Sequence, residues 1–435
     1  MLLSVVTVVL ATQLWAVHGI LLPFRRLIEP RSAVTTSTVF ADAGDPYNFD
    51  VVDFNGDGQI IYVANVTVDG QSYEVQLDTG SSDFWLNTQN YTLSSNVTDT
   101  DLNATISYGD TTVASGDIIL APVQFGNYSV SNQAIINAPG SNATSENDLG
   151  LLGLSSYVIS SVYNTLSNGT SFNGLPLLFN IFNLNTTAPS YITFLLSRSN
   201  LGITDGGIFT ISEVDPSWSA VQNQSKIAIA QGLGQWVGVM DAVIVNGKNY
   251  TGHGLLSRKD VNTTVLGPNF EGIDKSKTLS LFDTGTSLGY MPKYYFDAIY
   301  SDIKGSTKLD GADGIYSIPC DTKLNVSMVF NGTEYPINPL DLTRLISVDN
   351  ETLCINAFGS MDLNDQGMDF ILGDSFLRNA YTLFDYGNWT NNTDSAPFVQ
   401  LLSTTNQSDA WAQFDDLNNA RIAQWNSLNG TYNPQ

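Results

Sequence analysis

The feature that most constrains this chain is a tripeptide that occurs twice in matching settings. Around Asp78 the sequence reads VQLDTGSSDFW, and around Asp283 it reads LSLFDTGTSLGYMP. Each copy ends an apolar run in Asp-Thr-Gly and continues into a hydroxyl residue. The first copy is followed by GLLGL, Gly150 to Leu154, and the second by FILGD, Phe370 to Asp374. The same order of an apolar strand, Asp-Thr-Gly, and a later apolar pair with Gly therefore appears in both halves. A repeat this long indicates a duplicated domain, not a solenoid. A length of 435 residues suits two or three such units.

From about Tyr47 onward, short runs rich in Val, Ile, Thr and Tyr are separated by Gly, Asn and Asp. IIYVANVTVDGQSYEVQLD places two such runs across Asp69-Gly70, a strong hairpin signal. GDIILAPVQFGN and GVMDAVIVNGKNY read the same way, and KYYFDAIYSDI is the best helical pattern. The expected fold is mostly β, with an N-terminal half over 46–225, a C-terminal half over 226–403, and an extension over 404–435 that suits a short amphipathic surface helix.

An Asp at the end of an apolar strand is placed for burial, and a lone buried carboxylate is costly. One copy could be simple turn chemistry. Two matching copies point to two carboxylates that meet. Close together they cannot both ionise, so one keeps a proton and the other keeps a charge, giving a general acid and a general base from one residue type. Gly80 and Gly285 allow a tight turn and can aim amides at the carboxylates, while Thr79, Thr284, Ser81 and Thr286 can orient them by hydrogen bonds.

The ends of the chain suggest export. Residues 1–19 hold an apolar stretch ending in small residues, read as a signal peptide cut after Gly19; an uncleaved anchor is the alternative. Residues 20–45 begin with ILLPFRRLIEPRS, the most basic short stretch, which suits a removable pro-segment and otherwise a solvated linker. Eighteen Asn-x-Ser/Thr sequons, among them Asn65, Asn96, Asn142, Asn262, Asn331 and Asn391, fit a secreted glycoprotein, extracellular or vacuolar. In that setting Cys320 and Cys354 are expected to form a disulfide. There are 42 acidic residues against 17 basic ones, a net charge of −25, which argues against nucleic acid and anionic membranes as partners. The charge suits either life at low pH or simple solubility.

The order of VQLDTGSSDFW, ISYGD, GLLGL, LFDTGTS and ILGDSFLRNAYTLFD resembles that of pepsin-like aspartic proteases, in the style of secreted fungal members, over about residues 50–403. The resemblance implies a bilobal β fold with Asp78 and Asp283 facing across a cleft and holding an attacking water. It implies that Tyr108 is the tyrosine of a flap that closes over substrate, with Gly109 and Asp110 following it. Trp85 would contact that tyrosine, Asp374 would lie near the two aspartates, and Cys320 and Cys354 would match the disulfide of the second half. Protein or peptide substrates are implied, with no cofactor, no metal and a monomeric state. The family usually continues the flap with Thr-Gly-Ser or similar; this chain reads DTTVASG, so Asp110 and Thr111 bear on subsite preference.

Other chemistries fit less well. Past the leader only His253 is left to serve a Ser- or Cys-based nucleophile, and a histidine-rich zinc site is excluded. DFNGDG, from Asp53 to Gly58, resembles the start of a calcium loop, but its twelfth position is Ala64, so it reads as a turn. A protease-shaped binding protein and a structural surface glycoprotein are the rivals from other classes. The first usually loses one Asp-Thr-Gly or the flap tyrosine; the second leaves the duplication unexplained.

Overall fold

A computed structural model describes residues 47–54, 59–109, 111–143, 149–198, 205–259, 263–267, 270, 272–309, 314–348, 351–390 and 393–430. The signal peptide, the pro-segment, the tip of DFNGDG and Asp110 lie outside the described residues.

The two Asp-Thr-Gly copies sit in the same strand arrangement. In the first half Gln71–Asp78 runs parallel to Gly150–Gly153, with Asp78 opposite Gly153, and Gly150–Gly153 runs antiparallel to Phe84–Leu86. In the second half Thr278–Phe282 runs parallel to Phe370–Leu372, with Phe282 opposite Leu372, and Phe370–Leu372 runs antiparallel to Gly289–Met291. The next neighbour is parallel in both, through Trp85 with Ile136 and Gly289 with Phe358. Parallel strands of this kind are covered on both faces, so they are written as apolar runs without alternation. Thr278–Phe282 is buried along its whole length, as is the end of Gln71–Asp78.

The Asp69-Gly70 turn joins Gln59–Val68 to Gln71–Asp78 as the sequence predicts. Both turn residues have positive φ, 52° and 80°, the geometry of the tight two-residue turns that match strand twist. The predicted strands Val113–Phe125, Val237–Met240, Ala242–Val245 and Lys248–Tyr250 form, and KYYFDAIY forms the helix Lys293–Tyr300.

The halves are not independent sheets. Ala380–Asp385, from the second half, pairs antiparallel with Tyr191–Leu196 of the first, through Thr382 opposite Phe194, and Phe398–Ser403 pairs along its other edge. They thereby join a 13-stranded sheet that also contains Gln71–Asp78. Over it packs an aromatic group from both halves: Trp236 meets Phe384, Tyr386 and Trp389, and Tyr386 meets Phe179 and Phe182 of the buried helix Leu177–Leu184.

The extension forms the helix Gln407–Gly430. Ala410, Phe414, Asn418, Arg421 and Trp425 are its buried positions, a spacing of three or four that puts them on one face. Trp425 packs on Cys354 and Leu345, and Asn418 donates to the Cys320 carbonyl at 2.8 Å. The disulfide Cys320–Cys354 is formed, with an S–S distance of 2.03 Å.

Candidate active site

Each Asp-Thr-Gly loop leaves its strand at the meeting line of the two halves, and the threonines tie the loops together. The Thr79 hydroxyl donates to the Phe282 carbonyl at 2.8 Å, and the Thr284 amide donates to the Thr79 hydroxyl at 2.9 Å. The reciprocal pair is present. The Thr284 hydroxyl donates to the Leu77 carbonyl at 2.7 Å and accepts from the Thr79 amide at 3.0 Å. Both threonines are fully buried. Four hydrogen bonds thus leave no buried backbone group at this crossing to be satisfied by water.

The carboxyls receive matching partners. Gly80 N–H donates to Asp78 Oδ1 at 2.7 Å, and Gly285 N–H donates to Asp283 Oδ1 at 2.9 Å. The other oxygen accepts a hydroxyl in each case, Ser81 on Asp78 Oδ2 and Thr286 on Asp283 Oδ2, the latter at 2.7 Å. Each glycine also packs against the opposite carboxyl. A Cβ added at Gly80 would overlap the Asp283 carboxyl, and one at Gly285 would overlap that of Asp78. No side chain larger than hydrogen fits there, so the glycine of one loop sets how close the acid of the other can come.

The two carboxyls lie close together: the space that a Cβ at Gly285 would fill lies against Asp78 Oδ1 and 3.1 Å from Asp283 Oδ1. Burial, and then the charge of Asp283, push the Asp78 carboxyl well above the usual carboxylate range, against the opposing bonds from Ser81 and Gly80. Asp374 lies in the second wall. Its amide donates to the Thr286 carbonyl at 2.8 Å, and neither of its carboxyl oxygens has a hydrogen-bond partner among the described residues. Burial drives its carboxyl well up as well, with Arg378 opposing and Asp283 and Asp341 adding.

Tyr108 and Trp85 are in contact, the indole Nε1 donating to the phenol oxygen at 2.6 Å. Gly109 follows Tyr108 at a hairpin tip with open space around it, so no close approach explains the glycine there. Cys320 and Cys354 lie under the C-terminal helix, and His253 stacks on Tyr294 with ring centroids 3.7 Å apart. Among the described residues, no group of three His, Cys, Asp or Glu could hold a metal ion.

Several site residues escaped the sequence reading. Gln76 donates to the Gly285 carbonyl and Gln235 to the Gly80 carbonyl, both at 3.0 Å, so each loop is also braced by a glutamine that reaches across. Gln76 stands two residues before Asp78, on the same side of its strand, and that spacing is a usable signal; Gln235 has none. Asp83 is buried and caps the helix Ser161–Leu166, accepting from Ser160 Oγ, Ser161 N and Val162 N at 2.6–2.9 Å.

The family model for eukaryotic aspartyl proteases matches residues 61–394. Major aspartyl peptidase 1 of Cryptococcus neoformans var. grubii is 25% identical over 370 residues, covering 78% of this chain and 68% of the relative. Rhizopuspepsin of Rhizopus chinensis is 27% identical over 374 residues, covering 81% and 83%. The crystal structure of an aspartic proteinase from Irpex lacteus superposes with a TM-score of 0.62 at 18% identity, over 83% of this chain and 99% of that one, which supports the bilobal β fold. With a family match running through both Asp-Thr-Gly loops, the chain belongs to the eukaryotic aspartyl protease family.

Proposed function

We propose that this aspartic-type endopeptidase cleaves peptide bonds with Asp78 and Asp283 as its catalytic pair. The observation that carries the reading is the matched setting of two buried carboxyls that lie against each other, each bonded to the glycine amide and the hydroxyl of its own loop. The ionised member takes a proton from a water as its oxygen bonds to the peptide carbonyl carbon. The protonated member gives its proton to the carbonyl oxygen. Collapse of that tetrahedral species breaks the C–N bond: the aspartate that took the water's proton delivers it to the leaving nitrogen, and a diol hydroxyl returns its proton to the other aspartate as the carboxylic acid forms, restoring the starting pair. Thr79, Gly80, Ser81 and their counterparts Thr284, Gly285 and Thr286 hold the pair. Tyr108, with Gly109 and Asp110, covers substrate and is steadied by Trp85.

Activity is expected in acid, because the pair works only while one proton is shared. Asp374 supports this by keeping a buried acidic group beside Asp283. The leader over 1–19, the basic segment over 20–45 and the sequons support a secreted or vacuolar glycoprotein made as a zymogen, with its own pro-segment as a partner and a monomeric mature form of two lobes, 46–225 and 226–403, plus the 404–435 extension. No described helix is long and apolar enough to cross a membrane.

The test is a pH–rate profile on an unstructured peptide for the wild-type chain, Asp78→Asn and Asp283→Asn, with folding checked by circular dichroism. Each variant is expected to lose at least about 10²-fold in kcat, the low end for removal of an acid–base group. Near-normal turnover in either folded variant, or a wild-type maximum at or above neutrality, would overturn the assignment.

A further inference from the structure

The hairpin that carries Tyr108 contains a residue in a backbone conformation that its side chain disfavours. Strands Thr98–Ser107 and Val113–Phe125 pair up to Ser107 opposite Val113. Beyond them Tyr108 N–H donates to the Thr112 carbonyl at 3.0 Å, and Thr111 N–H donates to the Tyr108 carbonyl at 3.0 Å. These two bonds close a three-residue loop, whose last position requires a left-handed backbone and is usually glycine. Here it is Thr111, at φ 72°. A β-branched residue in that region is a rare outlier. The Thr111 side chain is exposed, so packing does not offset the strain.

The strain bears directly on Tyr108. Both backbone groups of Tyr108 are bonded to the far arm of the turn, so the turn that strains Thr111 is the one that aims the phenol. At its other end the phenol is held by Trp85 Nε1 at 2.6 Å. If Thr111 relaxes to an ordinary backbone region, the two turn bonds open and Tyr108 loses its fixed direction.

We propose that Thr111 is a positioning residue that limits how much of the free protein holds Tyr108 latched on Trp85, so that substrate binding supplies the remaining closure. The link to substrate rests on the catalytic reading of Asp78 and Asp283; the strain at the turn does not. The left-handed penalty corresponds to a factor of about 5–30 between latched and open turns. A ligand that needs the latched turn binds more weakly by the fraction of molecules lacking it.

The experiment compares the full chain with Thr111→Gly and Thr111→Val. Amide hydrogen exchange across residues 107–113 is measured without ligand, and binding of a dyad-directed transition-state mimic is measured by calorimetry. Glycine removes the strain, so exchange at Tyr108 and Thr111 is expected to slow by about 5–30-fold, with tighter mimic binding and a lower KM at a kcat that is unchanged or reduced. Valine keeps the β-branch and removes only the hydroxyl, so it is expected to exchange and bind like wild type. Unchanged exchange in Thr111→Gly, or an equal change in Thr111→Val, overturns the proposal. Slowed exchange without tighter binding confines the strain to the tip and refutes the positioning role. If mimic binding tightens as expected but no chain hydrolyses peptide, the catalytic reading fails and the flap assignment stands.

Discussion

Replacing Thr79 with Val tests the crossing that holds the two aspartates together. Valine has nearly the shape of threonine but can neither donate nor accept. The Phe282 carbonyl and the Thr284 amide, now bonded at 2.8 and 2.9 Å, would both lose a partner at a site closed to solvent. An unsatisfied buried group costs roughly 1–3 kcal/mol, so the pair should cost about 2–6 kcal/mol, with about 3 kcal/mol the central expectation. Thr79→Ser is the control. It keeps the hydroxyl and removes one methyl group, a loss of about 1 kcal/mol. Denaturant unfolding of the three chains in acid reads the difference. Activity supplies a second reading, because loosening the loops separates groups that must act on one water, and a displacement near 1 Å can cost about 10²-fold in rate. The same substitution at Thr284 orphans the Leu77 carbonyl and the Thr79 amide. Because the two loops touch, the double variant should depart from the sum of the singles by at least about 0.5 kcal/mol. If Thr79→Val unfolds no more easily than Thr79→Ser, the crossing does not hold the halves together and the argument fails.

Two further outcomes follow from the buried charges. Burial raises the carboxyls of Asp78, Asp83, Asp369, Asp374 and Asp385. A raised carboxyl binds its proton more tightly folded than unfolded, so its contribution to stability is complete below the ordinary value of about 4 and drains away as pH rises through the raised value. Asp341 runs the other way: burial alone would raise it, but Arg198 and Arg378 hold it low, and its contribution is lost as pH falls. Exposed Asp274, held low by the Ser276 amide and hydroxyl, adds to the same side as Asp341. With five buried groups against these two, the melting temperature is expected to be higher near pH 4.5 than near pH 7; a maximum at or above neutrality in a scan of melting against pH would contradict this. Arg421 is buried in the C-terminal helix and pushed down to about 10 by that burial, yet it donates to the Leu340 and Thr343 carbonyls at 2.9 and 3.1 Å and to Asn418 Oδ1 at 2.7 Å. Arg421→Met should therefore cost about 2–4 kcal/mol in chemical unfolding, whereas an unchanged midpoint would mean that the helix does not contribute to the fold.

The sequence alone determined the duplication, the mostly-β class, the Asp69-Gly70 hairpin and the residue types at Asp78 and Asp283. These are legible because they depend on local patterning: apolar runs for buried strands, Asp-Gly for a tight turn, and a repeated tripeptide for a repeated loop. The extension could be read as an amphipathic helix, but its buried face contains Asn418 and Arg421, and only their partners explain why polar groups lie inward. The role of Asp83 carries no sequence signal, because the helix that it caps lies nearly eighty positions further along the chain. The reason for the later glycine of each half was also hidden. At Gly373 a Cβ would strike the carbonyls of Thr286 and Leu288, residues more than eighty positions away in the chain. What the tertiary structure decided is how the halves meet: which threonine reaches which carbonyl, which glycine faces which acid, and which strands of the second half complete the sheet of the first. Those contacts join residues about two hundred positions apart, and hydrogen bonds and van der Waals contacts depend on distance in space, which local sequence patterning does not record.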